Sequence, residues 1–329
     1  MKPPKIKSGD SIGIFSPSSP ATFFAPDRYK RAEEFLKSKG FNIIEGSLTG
    51  KNDFYRSGSV KERADELNEL IRNPDIKCII SSIGGMNSNS LLPYIDYEQF
   101  SKTPKVLVGY SDVTAILFAV YAKTGINTYY GPAAVPSFGE HDPFLSLTYE
   151  YFKQILIDEV ELPYTFPIPD IWTDEFVPWE GTERQKKEYP NNMITLNSGK
   201  AEGRLIAGNL DTMLGIWGSE YMPEIKDGDI LLIEDSLKDI ALEERNFSFL
   251  KINNVFDKIS GLIIGKHEQF DDKQTKRKHY EVLMEVMGKT DIPVLSEFDC
   301  SHTKPMLTLP IGCRVKLDSD KKQLTILDF

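Results

Sequence analysis

KVLVGYSDVTAILFAVYAK, residues 105–123, changes character at a single joint. Up to Val108 it is a short apolar run, the pattern of a strand buried on both faces. From Val113 to about Lys123 it reads as a helix, and Gly109-Tyr110-Ser111-Asp112 lies between the two. A strand that ends in Gly-x-Ser and turns at once into a helix holds the serine on a sharp bend, with its hydroxyl exposed at the carboxyl edge of the sheet. The following helix points its amides and positive dipole end at the same spot, where developing negative charge is stabilised. Ser111 is therefore a candidate nucleophile. The competing reading is a helix cap, and the run Ser111-Asp112-Val113 departs from the fuller Gly-x-Ser-x-Gly pattern.

Outward from this joint, the first half of the chain alternates short apolar runs with helical patterns, which predicts a parallel sheet flanked by helices. Ser11 to Phe15, Phe41 to Ile44 and Cys78 to Ser82 read as strands. Pro26 to Lys39 reads as a helix stopped by Gly40, and Ser59 with Glu62 forms a capping box in front of another. The strand at Cys78 runs into Gly84-Gly85, and paired glycines let a backbone approach a ligand closely with bare amides. In a doubly wound sheet such loops gather at one edge, which makes the amides of Gly85 and Asp112 candidate donors to an oxyanion. A simple tight turn is the alternative. Between roughly Tyr164 and Lys200 periodicity fails, and the stretch reads as a linker or functional lid. Beyond it, Gly203 to Ile206, Ile230 to Ile233, Leu262 to Ile264 and Gln323 to Leu327 look like strands. The expected division is a first domain over 1–165, a linker or lid over 166–200 and a second domain over 201–329.

With 329 residues, 40% of them hydrophobic, the chain can bury a large core. The 49 acidic residues exceed the 39 basic ones, giving a net charge of -10 that disfavours nucleic acid as a partner. The longest apolar run, Ala115 to Ala122, is too short to span a bilayer, and Met1 to Asp10 lacks the apolar core of a secretory signal. A cytoplasmic protein without membrane attachment is expected. Three cysteines, Cys78, Cys300 and Cys313, show neither disulfide nor metal-ligand spacing, so no metal is expected.

A serine needs a base, since its hydroxyl is not ionised near neutral pH. Of four histidines, His141 lies in a charged loop and His279 follows Lys276-Arg277-Lys278, so both read as solvated surface. His267 follows a predicted strand and is a reserve candidate. His302 sits in the polar loop Asp299-Cys300-Ser301-His302-Thr303-Lys304-Pro305, at a strand end. An acid must then hold the imidazole. Glu234 and Asp235 both close the apolar run Ile230-Leu231-Leu232-Ile233, and periodicity does not choose between them.

Gly109-Tyr110-Ser111-Asp112, Ile230 to Asp235 and Asp299 to Thr303, in that order, resemble the LD-carboxypeptidase family of serine peptidases over nearly the whole chain. The resemblance implies a Ser-Glu-His triad on Ser111, Glu234 and His302. It further implies a Rossmann-like N-terminal α/β domain with a smaller β-rich α/β C-terminal domain, a homodimer, and no cofactor. Murein-recycling members usually carry an arginine before the Gly-Gly loop, where Ile83 stands here. That departure, with the Trp-bearing stretch, is similar to the microcin C self-immunity branch, said to cleave the amide joining an acidic aminoacyl group to a modified nucleotide. In this likeness Trp179 lies over the base, and Gly84 and Asn209 belong to the substrate pocket. From the residues alone, Trp179 suits purine stacking or packing back as a lid, while Asn209 equally suits a helix cap. Trp172 and Trp217 read as packing residues. The expected ligand is a small peptide-nucleotide or peptide. The alternatives are a murein tetrapeptide carboxypeptidase and, from another class, a non-catalytic nucleotide or amino-acid binding module. The latter lacks a Gly-x-Gly-x-x-Gly fingerprint after the first strand.

Overall fold

The computed structural model describes residues 1–181, 185–300 and 302–329. In the first half, β1 (Ser11–Phe15), β2 (Asn42–Glu45), β3 (Ile76–Ser81), β4 (Val106–Gly109) and β5 (Tyr129–Tyr130) pair in parallel in the order β2-β1-β3-β4-β5. β3 and β4 are buried almost throughout because helices cover both faces, which is why they read as unbroken apolar runs. The order is that of a doubly wound sheet whose switch point lies between β1 and β3, with ligand crevices at the carboxyl ends of the strands. The predicted capping box is present: Ser59 Oγ accepts from the Glu62 amide at 3.3 Å, and the Glu62 carboxylate accepts from the Ser59 amide at 2.9 Å. It starts the helix Val60–Arg72, which buries Ala64, Leu67, Leu70 and Ile71 against the sheet.

The second half is a mixed, β-rich layer. β6 (Tyr164–Thr165), β9 (Ile194–Asn197), β10 (Lys200–Asn209), β11 (Ile230–Glu234), β12 (Gly261–Gly265), β13 (Val294–Phe298), β15 (Arg314–Asp318) and β16 (Gln323–Asp328) run in the order β6-β16-β15-β10-β11-β12-β13-β9. β10 to β13 are parallel and the flanking strands antiparallel. β10 serves both regimes, pairing through Lys200–Arg204 with β15 and through Leu205–Asn209 with β11. The architecture is the expected α/β fold, Rossmann-like in front and β-rich behind.

Residues 164–200, expected to lack pattern, contain strand pairs too short to show a period: β6 on β16, and a ribbon of β7 (Ile171–Trp172) with β8 (Tyr189–Pro190). Trp172 packs in that ribbon against Tyr189, while Trp217 meets Phe249 edge to face at 5.4 Å.

The two halves are joined by the chain itself. After β13 it crosses to the front sheet, where β14 (Leu309–Pro310) pairs antiparallel with β5. The crossing, which carries His302, is fixed at its start by Asp299. This carboxylate is buried, takes the Lys266 ammonium at 2.6 Å and the Asn191 amide at 2.8 Å, while its backbone carbonyl accepts from Leu307 at 2.9 Å. Removing the carboxylate leaves a buried cation without its counter-charge, so Asp299→Ala is expected to lower unfolding stability by about 3–5 kcal/mol. Chemical denaturation checks this, and a change below about 1 kcal/mol would show that Asp299 does not anchor the crossing.

Candidate active site

β4 delivers Tyr110 in extended conformation, φ −148° and ψ −176°, and the chain then turns through Ser111 at φ +60° into the helix Thr114–Thr124. A left-handed serine is uncommon and is kept only where its surroundings over-determine it. Those surroundings are the Gly84-Gly85 loop after β3. A Cβ placed on Gly84 would lie 3.3 Å from Ser111 Oγ and 3.2 Å from the Asp112 amide nitrogen, so glycine keeps that face open. Gly85 has φ +153°, and a Cβ there would meet Ser18 Oγ at 2.2 Å. The buried Asp112 carboxylate accepts from the amides of Asn87 and Ser88, both at 3.0 Å, and stitches the loop to the serine turn.

From the second half, Glu234 ends β11 fully buried, and its Oε2 is 2.8 Å from His302 Nδ1. Its Oε1 accepts from the Tyr130 hydroxyl and, at 3.0 Å, from Asn209 Nδ2. The Tyr130 oxygen in turn accepts from the Ser111 amide at 3.2 Å. Asn209 also caps the helix Leu210–Leu214 through Oδ1, the helix-cap reading of this residue. Ser111, His302, Gly84, Gly85, Asp112, Asn209 and Trp179 all line one pocket of about 720 Å³. Glu234 stands behind His302 rather than on the pocket wall. Trp179 is half-buried, with the Phe24 ring 6.0 Å away and the Arg28 guanidinium 5.0 Å from its own centroid. His267, the reserve base, is buried elsewhere, 3.4 Å from Glu243.

With this arrangement in place, comparison with known proteins is informative. The LD-carboxypeptidase N-terminal domain matches residues 12–131 and the LD-carboxypeptidase C-terminal domain residues 202–317. The microcin C7 self-immunity protein MccF of Escherichia coli is 56% identical over 322 residues, covering 97% of this chain and 94% of its own. The chain belongs to the LD-carboxypeptidase family. Within the family it falls in the MccF branch, and it is a serine peptidase or amidase. MccF solved in complex with aspartyl sulfamoyl adenosine superposes with a TM-score of 0.98 at 55% identity, covering 100% of this chain and 99% of that one. MccF in complex with glutamyl sulfamoyl guanosine gives 0.97 at 55% identity, covering 99% and 98%.

Sequence reasoning missed three features of this LD-carboxypeptidase fold member. Tyr130 carries no motif of its own; it lies in the two-residue strand Tyr129-Tyr130, and the carboxylate it meets, Glu234, is 104 residues away. At Asp112 the sequence points to the backbone amide, and nothing in it signals the carboxylate's hold on the amides of Asn87 and Ser88. His279, expected at the surface beside a basic run, is buried. It begins the helix His279–Met287, whose phase turns the ring inward to within 5.6 Å of His267, and burial drives its pKa down to about 3, leaving it neutral. Among the described residues no cluster of His, Cys, Asp and Glu could hold a metal ion, and the three thiols are free and buried.

The electrostatics of the pair are mutual. Burial opposes charging of His302, but the Glu234 charge and hydrogen bond outweigh it and hold the imidazole above its ordinary value of 6.5. Burial likewise opposes ionisation of Glu234, and His302, Tyr130 and Asn209 overcome it, keeping the carboxyl below its usual range. Glu234→Gln removes the charge and leaves the burial. The His302 ring, followed by NMR against pH, is expected to titrate above 6.5 in the parent and clearly lower in the variant; an unchanged midpoint would deny the coupling.

Proposed function

We propose that this pocket hydrolyses the amide between an acidic aminoacyl group and a modified nucleotide, a detoxification of the microcin C type. The observation that carries the reading is the Glu234–His302 hydrogen bond opening onto the same pocket as the left-handed Ser111. In this mechanism Ser111 Oγ attacks the carbonyl carbon while His302 takes the hydroxyl proton, and Glu234 stabilises the imidazolium without becoming protonated. The amides of Gly85 and Asp112 hold the oxyanion in the space that Gly84 leaves open. As the tetrahedral intermediate collapses, the carbon–nitrogen bond breaks and His302 protonates the departing nitrogen. Water, deprotonated by the same imidazole, then attacks the acyl-enzyme, releasing the acid and restoring the serine. Tyr130 and Asn209 act as positioning residues for Glu234.

Trp179 offers an aromatic face for the base, a contact worth about 1–3 kcal/mol. The substrate class is supported by the acidic aminoacyl sulfamoyl nucleosides that MccF binds. We further propose that the protein works in the cytoplasm, where its free thiols stay reduced, and as a homodimer, with residues 166–200 as a lid between the domains 1–165 and 201–329. Among the described residues no helix is long and apolar enough to cross a membrane.

Ser111→Ala is expected to fold normally, to lose fluorophosphonate labelling and to fall by about 10⁴-fold or more in kcat. Offered aspartyl sulfamoyl adenosine and a murein tetrapeptide side by side, the parent enzyme is expected to prefer the first. Preference for the tetrapeptide would replace the substrate assignment, and full activity in Ser111→Ala would end the nucleophile assignment. Because the base must be neutral and its pKa is raised, kcat/KM is expected to be lost as pH falls through a value above 6.5, with a plateau on the alkaline side. An acid limb below 6 would contradict His302 as that base.

A further inference from the structure

Three lysines are almost fully buried, and two of them are conventionally satisfied. Lys105 Nζ donates to the carbonyls of Asn73 and Ile76, each at 2.6 Å, and Lys266 Nζ pairs with Asp299. Lys304 differs. It is 4% exposed and lines the active-site pocket two residues after His302, yet its Nζ makes no hydrogen bond with any described residue. Its Nζ lies 5.7 Å from the ring centroid of Tyr110, and that ring meets His302 edge to face with centroids 5.0 Å apart.

The surroundings carry both signs of charge. Arg28 and Lys186 line the same wall and share one carboxylate, Glu140, at 2.7 and 3.0 Å. Lys186, Glu140, Arg28 and Glu268 are the charges that act on Lys304, two positive and two negative. A buried ammonium without a partner is costly, and a fold retains one in a pocket wall where a ligand of opposite charge completes it. Burial, with Lys186 next, pulls this lysine down to about 7, so an arriving anion would favour its charged form. The backbone holds the position firmly: Lys304 and Thr173 exchange amide hydrogen bonds of 2.9 and 2.8 Å, which tie the His302 crossing to the segment carrying Trp179.

We propose that Lys304, flanked by Arg28 and Lys186, is an anion subsite that grips the phosphoryl or sulfamoyl group joining the scissile amide to the nucleoside. The inference rests on the nucleotide-substrate reading above and adds a residue to it. The location fits, since Lys304 follows His302 by two residues and lines the same pocket as Arg28 and Trp179, the residue assigned to the base. The same pocket is lined by a different pair, Lys238 with Asp211 at 2.8 Å, whose charges already satisfy one another.

The test is calorimetric binding of adenosine monophosphate and of adenosine to the full-length parent and to Lys304→Met, with thermal unfolding of both proteins as a check on folding. The parent is expected to bind the monophosphate at least tenfold more tightly than adenosine. Lys304→Met is expected to bring that ratio to within about threefold of unity, with adenosine affinity changed less than twofold. Lys186→Met, more exposed and safer for folding, is expected to reduce the ratio partially. An undiminished preference for the monophosphate in a folded Lys304→Met would overturn the subsite and leave the substrate reading standing. Failure of the parent to bind either ligand would overturn the nucleotide reading itself, and the subsite with it.

Discussion

The carboxylate of Glu234 is the group on which the rest of this structure turns. It sits fully buried at the end of a central strand, where an ionised acid is stable only if hydrogen bonds and opposite charge replace the water it has lost. Three donors do so, and they come from different places: His302 from the crossing between the sheets, Tyr130 from the front sheet, and Asn209 from the neighbouring strand β10. No single half of the molecule can satisfy it. The desolvation of one acid therefore couples the docking of the two sheets to the assembly of the site, so that a correctly joined molecule is also one with its imidazole held in a single orientation.

Across from that acid, the serine turn faces the opposite demand, strain rather than desolvation. A positive φ at Ser111 is tolerated because both sides of the turn are held, by the Tyr130 hydroxyl on its amide and by Asp112 clasping the amides of Asn87 and Ser88. The second glycine of a Gly-x-Ser-x-Gly bend would fall at 113, where Val113 stands, and Asp112 acts instead. Rather than relaxing the bend, it brings the Gly84-Gly85 loop against it. Tyr130 touches both Glu234 and the Ser111 backbone, so the acid and the bend are two ends of one hydrogen-bonded chain.

What could be read from residues alone follows from which forces act locally. The serine bend, the strand ends and the capping box at Ser59 depend on neighbours in sequence, and all were legible. The choice of Glu234 over Asp235 was not, because it depends on which carboxylate meets an imidazole 68 residues away; only the family likeness named it. Tyr130 was invisible for the same reason, since the carboxylate it meets lies 104 residues away. His279 was misread because a basic run suggests solvent, while the phase of the helix that begins there points the ring inward. The short strands of residues 164–200 escaped notice because two-residue pairs have no period to detect.

The charge distribution argues that this site selects an anion by where its cations sit rather than by its net charge. With a net charge of -10, the molecule as a whole repels an acidic ligand, and simple long-range steering works against capture. Inside the pocket the two signs are matched: Arg28, Lys186, Lys238 and Lys304 line the wall together with Asp112, Asp211, Asp235 and Glu268, and their fields are screened less there than at the surface. Glu140 and Asp211 hold three of these cations in place, and Lys304 is the one whose ammonium no described residue takes up. Selectivity in such a pocket comes from short-range pairing after entry. A neutral ligand gains little from these cations, and an acidic one that fits gains enough to offset the repulsion it met outside.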